Sequence, residues 1–131
     1  MREMLNGILL PIPASADHTD KNGYAISVVS GEAKIVSSAG EQAVALGVIY
    51  QGESVGGDSS IAPFGSGQVV PVQLKSDSAA VVAGNYGILN TDGTFTKDPG
   101  TGSRVRAVRF TEDISPGERG GALLLDLQSL S

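Results

Sequence analysis

Apolar and polar positions alternate along this chain in short runs separated by turn residues. Tyr24-Ala25-Ile26-Ser27-Val28-Val29 opens the series, rich in the branched and aromatic types that suit a pleated surface. Ser30-Gly31-Glu32 supplies a turn, and Ala33-Lys34-Ile35-Val36 can return as the second arm of a hairpin, with Ser37 to Gln42 following as loop. Ala43 to Tyr50 is a nearly continuous apolar run, whose length and branched content predict a buried strand. Gly47 inside it marks a bulge or a close backbone approach. Gln51 to Ser60 reads as a Gly/Ser/Asp loop, Ile61 to Phe64 is brief, and Gly65-Ser66-Gly67 turns into a strand from Gln68 to Leu74. Pro71 within that strand predicts an outer strand or a bulge.

The second half repeats the style. Ser76 to Ala83 is either one helical turn or an extended entry to the next strand. Tyr86 to Leu89 and Thr94 to Lys97 flank Asn90-Thr91-Asp92-Gly93, a hairpin loop in which Gly93 is free to take a positive φ. Asp98 to Ser103 is loop, and Arg104 to Phe110 is the cleanest alternating strand. Strict alternation sets Val105 and Ala107 on one face, Arg104, Arg106, Val108 and Phe110 on the other, and Arg109 opposite Arg104 and Arg106. Ala122 to Leu127 is the last strand. No helix of three turns is required, so the predicted fold is all-β, a small β-sandwich or β-barrel of short antiparallel strands. Residues 1–22 stand apart as an extended N-terminal arm before a β-domain at 23–131. Pro11 and Pro13 break regular structure in the arm, yet Leu5, Ile8, Leu9, Leu10 and Ile12 are too apolar for a free tail. They are expected to pack on their own domain or on a neighbour.

Composition narrows the classes. The chain of 131 residues is one domain by length, and its 18 Gly and 6 Pro fit many turns. With three Tyr, three Phe and no Trp, the core is mostly Val, Ile, Leu and Ala, and association is one way to offset the smaller area buried. The absence of Cys removes disulfides, thiolate metal sites and thiol catalysis, and fits synthesis in a reducing cytoplasm. No run approaches the ~18 apolar residues of a membrane span: Ile8 to Ile12 is too short and proline-broken, and it lacks the small-residue cleavage pattern of a signal peptide. A net charge of −5 disfavours nucleic-acid partners. Charge is nevertheless uneven: Arg104, Arg106 and Arg109 fall close together in a chain with nine basic residues.

Candidate chemistry is thin. Gly52-Glu53-Ser54-Val55-Gly56 matches the G-x-S-x-G pattern, but Gly57-Asp58-Ser59-Ser60 cannot start the helix a nucleophile elbow needs, and the one histidine, His18, lies upstream. Asp17 to Gly23 offers oxygen ligands, yet the calcium-loop pattern fails at its first and twelfth positions, His18 and Val29. Glu112, Asp113 and Glu118 flank a Ser-Pro-Gly turn, where acids are ordinary surface residues. No catalytic set, cofactor motif or metal-ligand set emerges. Arg104, Arg106 and Arg109 remain as a contact patch for an acidic partner surface, or as a solvated face paired with Glu112, Asp113 or Asp126.

The ordered turn motifs carry a resemblance. Gly47-Val48-Ile49, Val70-Pro71-Val72, Ala83-Gly84-Asn85-Tyr86, Asp92-Gly93-Thr94 and Glu112-Asp113 before Pro116-Gly117-Glu118 follow one another over Tyr24 to Leu127. In this the chain resembles the capsid decoration (cement, head-stabilising) proteins of tailed bacteriophages. The N-terminal arm and the three arginines are particular to this sequence. The resemblance implies a non-enzymatic structural protein of the virion, made in the host cytoplasm and bound to the outer capsid surface. There it would bridge neighbouring copies of the major capsid protein as a homotrimer, with no nucleic-acid or membrane partner. The expected contact residues, to the capsid or a neighbouring subunit, are Leu5, Ile8, Leu9, Leu10, Ile12, Arg104, Arg106 and Arg109. Another virion β-module, such as a head-fibre base, tail or receptor-binding domain, shares the composition. A hydrolase would need Ser54 or His18.

Overall fold

The computed structural model describes residues 9–131. Ten strands form two five-stranded antiparallel sheets. The first sheet uses β1 (Leu10–Pro13), β2 (Ala25–Val29), β3 (Glu32–Ile35), β4 (Gly47–Gln51) and β5 (Asp58–Pro63), with a short helix α1 (Ala39–Ala43) between β3 and β4. The second uses β6 (Val69–Gln73), β7 (Tyr86–Leu89), β8 (Phe95–Lys97), β9 (Arg104–Phe110) and β10 (Arg119–Leu130). The fold is all-β, as the turn-punctuated pattern predicts.

The two sheets are copies of one plan. Their strand orders, β1-β5-β4-β2-β3 and β6-β10-β9-β7-β8, are the same order in consecutive halves of the chain. Each sheet curls until its outer strands meet through one parallel bridge, Ala14 with Ala33 in the first and Leu74 with Phe95 in the second. The registers match pair by pair. Ala25 lies opposite Val48 and Val48 opposite Ala62, just as Tyr86 lies opposite Arg109 and Arg109 opposite Leu123. The joints match as well. Gly23 N–H donates to Ile49 O and Gly84 N–H to Phe110 O, both at 2.8 Å, while Ala14 N–H to Gly57 O and Leu74 N–H to Glu118 O are both 2.9 Å.

Two cores follow. Ile26, Ala33, Ile49 and Ile61 fill the first curl, joined by Leu10, Ile12, Ile35 and Leu46. The second, larger core holds the inward side chains of the second curl, among them Val70, Val72, Phe95, Phe110 and Leu124, and also Ala25, Val48 and Ala62 from the outer face of the first sheet. Strands β2, β4 and β5 are therefore apolar on both faces, which is why Gly47 to Tyr50 shows no alternation. Gly47 makes the predicted close approach: a Cβ there would stand 2.2 Å from Ala62 O. Pro71 lies in β6, an outer strand, and Gly93 has φ +83° in its hairpin.

Several elements differ from the sequence reading. The described part of the expected arm at 1–22 is not separate from the domain: Leu10–Pro13 is a strand of the first sheet, paired with β5, and Ala14 is fully buried. Residues 39–43, read as loop to Gln42 with a buried strand from Ala43, form α1 because Ser38 caps it, its hydroxyl accepting from Glu41 N–H, so that Val44 is exposed and β4 begins only at Gly47. Strand β5 begins at Asp58, inside the expected loop, and β10 runs for 12 residues on both sides of Ala122 to Leu127. Ser76 to Ala83 is neither helix nor strand; only Val81 bridges to Ile114.

Candidate functional site

The arginine cluster is built by an irregularity in β9. Gly87 faces Val108 but Ile88 faces Arg106, so Ala107 is an extra residue in the β7–β9 ladder. The bulge shifts the alternation by one. Val105, Ala107, Val108 and Phe110 are all buried, and Arg104, Arg106 and Arg109 lie on the outer side. The expectation that Arg109 opposes the other two is corrected: all three share one face. The signal was in the sequence, since Val105, Ala107, Val108 and Phe110 cannot all be buried by a strict period of two.

Asp98, at the end of β8, holds the cluster in place. Its Oδ1 accepts from Arg104 Nε and from the Gly100 N–H, and its Oδ2 accepts from Arg106 Nε at 2.9 Å. The Asp98 side chain is 4 % exposed and that of Arg104 is 8 %. Burial alone would raise the Asp98 pKa, but the Gly100 N–H and the two guanidinium groups outweigh it, so the carboxyl sits below its ordinary value. The expected partners do other work: Glu112 accepts from Gly121 N–H at 2.7 Å and Asp113 from Ala83 N–H at 3.0 Å. Nothing in the sequence singled out Asp98 over the other acids, because its pairing depends on the turn at 98–103 folding back on β9.

Tyr86 is the centre of the exposed side. The Arg106 guanidinium stands 4.2 Å from its ring centroid and that of Arg109 5.2 Å, both within cation–π range. Arg109 Nε also donates to Gly84 O. Beside the ring, Asn85, Tyr86, Lys97, Asp98 and Arg106 line a recess of about 210 Å³. The Lys97 side chain makes no hydrogen bond or ion pair among the described residues. Three guanidinium groups thus share this face with one carboxylate, in a chain of net charge −5. Two of the three are fixed by a buried anion, so little side-chain entropy remains to be lost on binding.

The other candidates are placed elsewhere. Leu9 packs on the larger core and Leu10 and Ile12 on the smaller one, so all three serve this domain's own packing. Leu5 and Ile8 lie outside the described residues. Ser54 is exposed in a turn and no hydrogen bond joins it to His18. His18 is 2 % exposed, its backbone N–H bonds to Glu53 O, and its Nδ1 has no partner. Asp17 accepts from Thr19 N–H and Oγ1, and Asn22 Oδ1 from Gly52 N–H, so these oxygens brace loops. Among the described residues no group of three or more acidic or histidine side chains could hold a metal ion, and no helix is long and apolar enough to cross a membrane. Set beside known proteins, the chain matches no protein-family model and no curated protein.

Proposed function

We propose that this protein is a structural component of a phage virion that binds the outer surface of the capsid as a homo-oligomer and stabilises the shell by bridging major capsid proteins. The observation that carries the reading is the face around Tyr86. It joins an exposed aromatic ring to arginines already fixed in position, the composition of a protein-binding hot spot, on a body closed by its own bridges. The ordered turn motifs supply the choice of partner. Each contact need not be strong, since an oligomer presents several at once.

The test mixes the full chain with expanded, undecorated heads and, separately, with isolated tails, and measures co-sedimentation. Saturable binding to heads is expected. Binding to tails alone would overturn the reading in favour of a tail module, and binding to neither would remove the virion role.

A further inference from the structure

The repeated plan says what the Tyr86 face is built to meet. Ala25, Val48 and Ala62 are completely buried, because the outer face of the first sheet packs against the second. Their register equivalents in the second sheet are Tyr86, Arg109 and Leu123. These three have no third sheet to cover them: Tyr86 is 38 % exposed, Arg109 is exposed and Leu123 is half-buried. The second sheet therefore presents, uncovered, the face that the first sheet uses as its joint.

The receiving side of that joint shows the same asymmetry. Within the chain, the first sheet docks beside the β7–β8 hairpin: Ala25 N–H donates to Gly93 O at 2.8 Å, and Gln42 of α1 reaches Leu89 O. Leu89 is 1 % exposed under this cover. The equivalent hairpin of the first sheet, β2–β3, is met along β3 by Ala14 and by Glu41 of α1, but among the described residues its Val28–Val29 end is left uncovered. Its counterpart of Leu89 is Val28, by the pairings Val28–Ala33 and Leu89–Phe95, and Val28 is 46 % exposed with Val29 at 41 % beside it. Charge agrees. Between residues 9 and 64 there are six acidic residues against two basic, with Glu32 at the tip of the β2–β3 hairpin, whereas the Tyr86 face is cationic.

We infer that copies of this chain join head to tail, the Tyr86–Arg109–Leu123 face of one seating on the Val28–Val29 hairpin of the next, in repetition of the joint between the two sheets of a single chain. This rests on the reading above only in taking the Tyr86 face as protein-binding, and it names the occupant as a second copy. Such a joint uses two different surfaces, so it must close into a ring or extend as a filament. Three copies in a ring would set six five-stranded units around one axis.

The test measures mass in solution by light scattering, for the wild type, for Arg109→Glu and for Val28→Asp. Both substitutions lie on exposed positions, and thermal unfolding of each variant checks that it folds. The wild type is expected to form a closed oligomer and each variant alone a monomer. An equal mixture of the two is expected to give a dimer, since one intact face and one intact hairpin remain. A wild type that stays monomeric at high concentration overturns the inference. So does a Val28→Asp variant that keeps the wild-type mass, which would mean that the Tyr86 face pairs with itself. Failure of the wild type to bind heads while these masses hold would count against the capsid role and leave the joint standing.

Discussion

Asp98 shows how much one side chain decides here. It is the buried counter-charge on which Arg104 and Arg106 rest, and removing one partner of a buried pair costs more than the pair contributes. Asp98→Asn should lower stability by about 3 kcal/mol in urea titration, whereas Arg109→Ala, at an exposed position, should stay within about 0.5 kcal/mol. His18 carries a second effect. Burial holds its imidazole below the ordinary value of 6.5, partly offset by Asp17 and Asp20, with Lys21 adding to the depression. The unfolded chain then binds the proton more readily than the native one, so stability is full above pH 6.5 and falls as pH drops below it. Thermal unfolding of the wild type should lose more between pH 7 and pH 5 than that of His18→Gln; equal losses would show that His18 does not carry this dependence. Neither role was legible in the sequence. A lone aspartate after a strand and a lone histidine in a polar loop look like solvated residues until the chain folds over them.

At the scale of elements, the strand pattern was legible wherever one face is wet or the run is wholly apolar, as in Arg104 to Phe110 and in the Gly47 to Tyr50 part of the run that opens at Ala43. What periodicity could not give was the bulge at Ala107, which moves Arg109 across the sheet, or α1, which a single serine cap defines. The apolar segment before Tyr24 was legible as something that must be covered, but not as β1, whose partner β5 lies about 50 residues on. That placement alters what a truncation does. Deleting residues 1–13 removes β1 with Leu10 and Ile12 and should cost at least about 2 kcal/mol, seen as a lowered unfolding midpoint. Deleting 1–8 keeps β1 and every contact described above. If the shorter deletion abolishes binding to heads while the midpoint holds, the contact residues are Leu5 and Ile8.

Across the whole molecule, the repeat itself was written in the sequence at a spacing of about 60 residues. Leu9-Leu10-Pro11-Ile12 aligns with Val69-Val70-Pro71-Val72, Gly23 with Gly84, Gly31 with Gly93, and Ser54-Val55-Gly56 with Ser115-Pro116-Gly117. It escapes a reading by motif because the two halves share turns and apolar positions rather than identities. The proline that seemed to break an arm and the proline that marked an outer strand hold the same place in the two sheets. The candidate site was half legible: the arginines stood out by composition, while their common face, their buried counter-ion and their aromatic centre are products of folding.

The closure of each sheet within its own half leaves residues 64–68 as a tether that contributes to no strand. Its middle is accessible, with Gly65 and Gly67 both exposed, and exposed tips of this kind are where inserted sequence is best tolerated. A short flexible peptide placed between Gly65 and Ser66 should leave the unfolding midpoint nearly unchanged, because the extra loop entropy grows only slowly with length. The same peptide placed between Ala107 and Val108, within β9, should abolish folding. The chain can thus be opened at its centre to carry a foreign epitope, and a collapse of the midpoint on insertion there would show that the two halves depend on the tether as well as on their shared core.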